Sequence, residues 1–125
     1  MPKIFSEKER IEIIETLQKG AMHELSRVGV RKTTVDELCR ISHLAKGSFY
    51  LFYESKEELF LDCLKTFADS LEEMYLGMLQ NLDENHIVSS LTTVFATIAK
   101  RFRDEGMFRF LDEENIALIK RKVPE

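Results

Sequence analysis

The amino-acid sequence predicts an all-α protein, and three observations support this prediction. The 125 residues include only 5 glycines and 2 prolines, and both prolines (Pro2 and Pro124) stand at the ends. A sheet protein with many tight turns would use more of both residues. Apolar residues recur with the period of a helix face along most of the chain. The helix-start pattern Ser/Thr-x-x-Glu occurs at Ser6, Thr34 and Ser55, each time before such an apolar run.

Six helices are predicted in chain order. They cover about residues 7–28, the stretch after Thr34, residues 45–52, residues 55–82, residues 87–105 and a last stretch from residue 107. Gly29 and Gly106 are expected to stop the first and fifth helices in left-handed conformations. The fourth helix would be roughly 38 Å long at 1.5 Å per residue, too long to serve a three-helix head alone. We therefore expect it to connect the head to the first helices of a second helical domain.

Composition excludes several classes of protein. Charged residues make up 32% and hydrophobic residues 44% of the chain, which is typical of soluble globular proteins. No apolar run approaches the roughly 18 residues that span a bilayer, and the N-terminus shows no signal-peptide h-region. Cys39 and Cys63 are too few for a disulfide framework. The expected protein is cytoplasmic, without membrane association.

No catalytic, metal or cofactor site is expected from the residue spacing. His23, His43 and His86 lie on different predicted elements and have no i, i+4 partner that would bind a metal with them. The sequence shows neither a nucleophile–base spacing nor a phosphate-binding glycine loop. We therefore expect a protein that is not an enzyme.

Charge is unevenly distributed along the chain. The net charge is −4, yet residues 1–55 hold nine basic against eight acidic residues, whereas residues 56–125 hold nine against fourteen. The basic residues of the first part gather at Arg31, Lys32, Arg40 and Lys46. This distribution permits a nucleic-acid surface in the first part of the chain but does not by itself indicate one.

Residues 33–52 predict two short helices joined by a tight turn, which is a helix-turn-helix arrangement. On a helical wheel, one arc of the second of these helices holds the residues suited to the core: Ala45, Phe49, Phe52 and Tyr53. The other arc offers a positively charged group, a glycine whose backbone no side chain covers, hydroxyl groups and an apolar side chain. Groups of these kinds suit contacts with the phosphates and bases of DNA. Those residues are Lys46, Gly47, Ser48, Tyr50 and Leu51.

Two helix starts add candidate phosphate sites. Thr33 and Thr34, and Lys56 at the start of the fourth helix, could hold phosphates where helix N-termini carry positive partial charge. The alternative reading is that the threonines are ordinary caps and Lys56 is an ordinary surface charge. Local chemistry leaves both readings open.

From about Arg10 to Phe67 the sequence resembles the TetR family of bacterial transcriptional regulators. The resemblance rests on Thr33-Thr34, on Lys46-Gly47-Ser48-Phe49-Tyr50, and on Ser55-Lys56-Glu57-Glu58-Leu59. It implies base or phosphate contacts from Lys46, Gly47 and Ser48, and phosphate contacts from Thr34, Tyr50 and Lys56. It also implies that Phe49 and Tyr53 hold the motif together.

Four residues depart from the usual family pattern. His43 stands where the turn normally has glycine, which predicts either a strained or an altered turn. Ala45 replaces the usual serine cap, and Leu51 and Glu54 replace polar or basic residues. We expect these changes to affect operator sequence and affinity rather than the class of protein.

The resemblance implies a domain division. Residues 6–70 would form the DNA-binding domain, with the helix-turn-helix motif at 33–52, and residues 71–125 a truncated part of the effector-binding and dimerisation domain. Family members usually carry about 200 residues, so the chain is interpreted as a fragment. An effector pocket lined by Phe67, Tyr75, Phe95, Phe102 and Phe108 is implied, although plain core packing explains each of these residues too.

The resemblance implies a ligand-responsive repressor that, at full length, binds a palindromic double-stranded DNA operator as a homodimer. A small-molecule effector is the only ligand expected besides DNA. The alternative is a helical protein-interaction or effector-binding module that does not itself bind DNA. The outward arc around Lys46, Gly47 and Ser48 favours DNA, because these residues suit phosphates better than a dry protein interface.

Overall fold

The computed structural model describes residues 4–123, so both prolines lie outside the described residues. Within residues 4–123 the chain is built from α-helices and two short 3-10 turns, without strands, which confirms the all-α prediction. The helices are α1 (Glu7–Arg27), α2 (Gly29–Lys32), α3 (Val35–Ile41), α4 (Lys46–Phe49), α5 (Lys56–Gln80), α6 (Ile87–Asp104) and α7 (Glu113–Lys122). The 3-10 turns are Glu84–His86 and Met107–Leu111.

Side-chain caps set the predicted helix starts. At α1 the capping box is complete, because Glu9 N–H donates to Ser6 Oγ and Ser6 N–H donates to the Glu9 carboxylate, each at 3.1 Å. At α3 only half of the box forms: Glu37 N–H donates to Thr34 Oγ1, while the Glu37 carboxylate pairs with Arg40. The three start signals are thus confirmed as helix starts, although not every reciprocal bond forms.

Two predicted helices differ from the observed ones. The third is α-helical only over Lys46–Phe49, because the N–H groups of Leu51 and Phe52 bond carbonyls three residues back and tighten the chain into turns. The sixth begins at Glu113 rather than near Met107. Its cap is Asp112, whose side chain accepts from Glu114 N–H at 2.9 Å.

The structure divides into two compact units, and the division differs from the predicted boundary at residue 70. The first unit contains residues up to Cys63 together with those from Arg109 onward, and the second contains Leu64–Phe108. The helix α7, predicted to belong to the second domain, is therefore part of the first unit.

The first unit has a continuous apolar core. α1 packs on α2 and α3, α3 packs on α4, and α7 packs on α2. Its fully buried apolar side chains are Leu17, Ala21, Leu25, Val30, Leu38, Phe49, Leu59 and Phe60. One predicted core residue lies outside it, because Ala45 is exposed at the N-cap of α4.

A buried amide ties α7 to the start of α2 within this unit. Asn115 is almost fully buried; its Oδ1 accepts from Val30 N–H at 3.0 Å and its Nδ2 donates to the Arg109 carbonyl at 2.8 Å. Gly29, at the α1–α2 junction, has φ +82°, as the sequence predicts for a left-handed stop.

The second unit is held by an aromatic cluster between the later part of α5 and α6. The Phe102 ring lies 5.1 Å from that of Phe67 and 5.6 Å from that of Phe108, centroid to centroid. Arg101 covers the Phe67 ring at 5.3 Å and donates to Ser70 Oγ at 3.1 Å. Much of α6 lies at the surface, including the exposed apolar residues Ile87, Val88 and Phe95.

Candidate nucleic-acid interface

The helix-turn-helix consists of α3, a turn over residues 42–45, and α4. α3 ends with Leu44 N–H bonded to the Cys39 carbonyl at 2.9 Å. His43 has φ +52°, the left-handed conformation that glycine favours, so of the two alternatives predicted for a histidine at the usual glycine position the structure shows a strained turn. Histidine is among the non-glycine residues that enter the left-handed region more readily than most. The turn thus forms without glycine, at a cost in backbone strain.

The surface of α4 carries the predicted DNA-facing groups. Lys46, Gly47, Tyr50 and Leu51 are exposed, and Ser48 is half-buried. Tyr50 and Leu51 each leave about half of their surface in solvent (50% and 51%). The predicted site residues of α4 therefore lie together on one accessible surface.

Buried aromatic residues hold α4 in place from behind. Phe49 is fully buried, and the nearly buried Tyr53 donates its hydroxyl to Asp62 Oδ2 at 2.6 Å. The same carboxylate oxygen accepts from Gln18 Nε2 at 3.2 Å, which links α1, the end of the motif and α5. Burial and the Asp62 carboxylate both raise the pKa of Tyr53, so the phenol remains a neutral donor. Asp62 was missed by the sequence reasoning because its partners are distant along the chain.

The two threonines of the motif have different environments. Thr34 is exposed, and its hydroxyl caps α3 by accepting from Glu37 N–H at 3.1 Å. Thr33 is fully buried, and its hydroxyl donates to the Gly29 carbonyl at 2.7 Å. This corrects the expectation that Thr33 contacts DNA: the side chain has no surface to offer a phosphate.

Lys56 is also placed differently from the prediction. Its ammonium donates to the backbone carbonyls of Val30, Arg31 and Thr33 at 2.8, 3.0 and 2.7 Å. Burial is the largest influence on this group and lowers the pKa of Lys56. Because an ammonium has three N–H donors and all three are engaged, Lys56 closes the C-terminal end of α2 in this structure and is not available to a phosphate.

The cations near the turn are paired with carboxylates. Lys46 Nζ lies 3.0 Å from Asp36 Oδ1, and its pKa is raised by the hydrogen bond to and charge of Asp36. Arg40 pairs with Glu37 one turn earlier in α3. These pairs explain how a basic cluster persists in a chain of net charge −4.

The five residues predicted to line an effector pocket do not come together around a cavity. Phe67, Phe102 and Phe108 pack on one another, and Phe95 is 68% exposed. The second unit instead contains a cleft of about 520 Å³, and Tyr75 is not among its lining residues. The cleft is lined by Met74, Gly77, Met78, Asn81, Leu82, Ser90, Thr93 and Val94.

The cleft combines apolar walls with a polar edge. Met74, Met78, Leu82 and Val94 supply the apolar side chains, and hydroxyls and an amide supply the polar groups. The row of Ser and Thr residues along α6 was a signal for this edge, but helical period alone does not tell a pocket from solvent.

Across residues 4–123, no helix combines the length and hydropathy needed to cross a bilayer.

The head of the chain matches a known family. Residues 17–63 match the family model described as "Bacterial regulatory proteins, tetR family". This stretch runs from α1 into α5 and includes the whole helix-turn-helix.

A curated relative extends the similarity beyond the head. The uncharacterised HTH-type transcriptional regulator YdgC of Bacillus subtilis (strain 168) is 26% identical over 104 residues, which is 83% of this chain and 50% of that protein. The chain therefore spans about half the length of this relative. No solved structure gives a significant match.

The family match covers the residues of α4 and the buried residues that pack beneath it. The name of the relative describes the same class of motif, a helix-turn-helix. Residues 17–63 are therefore similar to the tetR family of bacterial regulatory proteins, and the helix-turn-helix is present in the fold of these same residues.

Proposed function

We propose that this chain is a DNA-binding transcriptional regulator whose α4 enters the major groove. The observation that carries the proposal is the exposed surface of α4, where Lys46, Gly47 and Tyr50 stand over the buried Phe49 and Tyr53. A cation and a phenol suit phosphates, and the glycine lets the backbone approach the duplex closely. Leu51 adds an apolar tip for a thymine methyl group. We also propose that the protein is not an enzyme and that it acts on DNA in the cytoplasm.

The proposed contact set is smaller than the sequence suggested. It keeps Thr34, Lys46, Gly47, Ser48, Tyr50 and Leu51, and leaves out Thr33 and Lys56, whose polar groups are engaged within the first unit. The family match supports the major-groove geometry, since the second helix of a helix-turn-helix reads base edges.

We further propose that the full-length protein binds a palindromic operator as a homodimer and acts as a repressor. Helix-turn-helix dimers read two half-sites about one helical turn apart, so protein symmetry predicts operator symmetry. The exposed apolar residues of α6, Val88 and Phe95 above all, support a partner surface in the second unit. They equally favour the second candidate function, a module that binds a protein partner.

Ligand response is proposed at the cleft of the second unit. Its volume of about 520 Å³ is in the range of small-molecule sites, and its apolar walls with Asn81, Ser90 and Thr93 suit an apolar molecule with a hydrogen-bonding group. An effector there would act by favouring one of two arrangements of the protein.

Selection from random duplex DNA tests the proposed function. The chain is incubated with a pooled random library at about 50 mM salt, and the bound fraction is amplified and tested again at about 200 mM. We expect enrichment of one sequence family, with affinity that falls steeply as salt rises. A chain of full family length is selected in parallel, because a dimer doubles the contacts. No enrichment by either chain would favour the protein-interaction module.

A further inference from the structure

The proposed DNA-binding surface contains carboxylates as well as cations. Asp36 lies in the first turn of α3, and its side chain is 74% exposed. Its Oδ1 is 3.0 Å from Nζ of Lys46, the first residue of α4, whose side chain is 57% exposed. The cation best placed to meet DNA is therefore already paired, within the same motif, with an acid.

Because the side chains of Lys46 and Asp36 are both exposed to solvent, the ion pair between them is weak, and another charged group can replace either partner. Pairs at the surface contribute little to stability, because water screens the charges and two flexible side chains lose freedom. A DNA phosphate can therefore replace the Asp36 carboxylate as the partner of Lys46. Asp36 then remains beside that phosphate, and like charges at such range repel each other.

The effect of Asp36 on binding does not depend on base sequence. Every duplex presents phosphates, so the lost ion pair and the repulsion reduce affinity for all DNA alike. Contacts to base edges are made only at a matching site and are unaffected by this term. The net result is a lower affinity for DNA of every sequence.

We propose that Asp36 is a residue of the DNA-binding surface that neutralises Lys46 in the free protein and thereby lowers the affinity of the chain for DNA of every sequence. The inference rests on the proposed DNA-binding function. It deepens that function by giving Asp36, an acidic residue that is absent from the proposed contact set, a role in setting the overall affinity for DNA.

Four single variants and one double variant of the chain test the role of Asp36. They are Asp36→Asn, Asp36→Glu, Lys46→Met, Glu15→Gln, and Asp36→Asn combined with Lys46→Met. Glu15 is an exposed acid on α1, so its variant controls for the change in net charge. Binding to a fluorescein-labelled random-sequence duplex and to the selected duplex is followed by anisotropy at about 50, 100 and 200 mM salt.

We expect Asp36→Asn to bind the random duplex threefold to tenfold more tightly than the parent at the lowest salt. Its salt slope should steepen by up to about 0.9, the value for one further phosphate contact. The affinities of Asp36→Glu and Glu15→Gln for the random duplex should stay within twofold of that of the parent. When Lys46→Met is already present, adding Asp36→Asn should raise the affinity for the random duplex by less than twofold.

Three outcomes would overturn the inference. If Asp36→Asn matches Glu15→Gln while Lys46→Met weakens binding, DNA binding stands and the role of Asp36 does not. If Asp36→Asn weakens only the selected duplex, Asp36 contacts a base instead. If neither the parent nor any variant binds either duplex, the proposed function fails, and the inference fails with it.

Discussion

The ammonium of Lys56 reaches three carbonyls at the end of α2, and this geometry gives the residue a structural role. Hydrogen bonds from a charged donor are stronger than neutral ones, and these three bind carbonyls at and just beyond the C-terminal end of α2. The same residue was predicted from sequence to hold a phosphate. Its position at a helix start is compatible with both roles, and only the fold brings the α2 carbonyls within reach.

We predict that Lys56→Met lowers the free energy of unfolding by about 1–3 kcal/mol, because charged-group hydrogen bonds are lost while the aliphatic stem is kept. Urea denaturation measures the change, with Lys65→Met, an exposed lysine of the same helix, as control. The salt slope of DNA binding should be unchanged in Lys56→Met and smaller in Lys46→Met, by less than the roughly 0.9 of a full phosphate contact because Asp36 competes for the same ammonium. A Lys56→Met variant of normal stability but reduced salt slope would assign Lys56 to a phosphate instead.

The buried thiol of Cys63 predicts a pH dependence of stability. Burial raises the pKa of Cys63 from its usual 9.0 to about 12, with Asp62 adding to the shift. The folded state therefore keeps the proton where the unfolded state releases it. The thiol's contribution is fully present below about pH 9 and is lost as pH rises toward 12.

We expect the parent to lose stability relative to Cys63→Ala by up to about 1.4 kcal/mol per pH unit above pH 9. Urea denaturation at pH 8, 9, 10 and 11 gives the comparison, and the difference between the two proteins should narrow as pH rises. If the free energies of unfolding of the parent and of Cys63→Ala change in parallel as pH rises, the thiol has the same pKa in the folded and unfolded states. That result would contradict the prediction.

Among the elements, the turn of the helix-turn-helix and the α1–α2 junction both need left-handed backbone, and they meet this need differently. Gly29 adopts φ +82° without a side chain to strain, whereas His43 adopts φ +52° with one. A left-handed residue costs roughly 1–2 kcal/mol when it carries a Cβ.

We predict that His43→Gly raises the free energy of unfolding by about 0.5–1 kcal/mol, after the entropy cost of glycine is subtracted. Gly29→Ala should lower it by at least about 1 kcal/mol, since its new Cβ would also stand 3.3 Å from Asn115 Oδ1. Gly77→Ala, in open space on α5, is the control and should be neutral or slightly stabilising. Thermal denaturation ranks the variants, and a destabilised His43→Gly would refute the strain at the turn.

Helix starts were predictable where a local cap encodes them, as at Ser6 and Thr34. The start of α7 at Glu113 was not, because Asp112 lacks a Glu three residues on and the apolar period continues through Phe108 and Leu111. The short extent of α4 was not predictable either. Its end depends on how Tyr53 turns inward to reach Asp62, a contact between elements.

At the scale of the whole molecule, the sequence predicted which residues of α4 face outward, because exposure on a short helix follows from its period. It did not predict the Lys46–Asp36 pair or the burial of Thr33, since both depend on how α3 packs against its neighbours. It also did not predict that the five aromatic residues expected to line an effector pocket do not surround a cavity. Aromatic residues at helical spacing predict that one face of a helix is buried. Whether that face lines a cavity depends on how the helices pack against one another.

Binding of DNA by the α4 surface is the central claim, and backbone amide chemical shifts test it most directly. The ¹⁵N-labelled chain is titrated with the selected duplex at about 50 mM salt, and with the same duplex at about 200 mM salt. We predict that the largest shifts fall on Thr34 and residues 46–51, and that they shrink at the higher salt. Unchanged amides at residues 46–51 in the presence of excess duplex would contradict the claim.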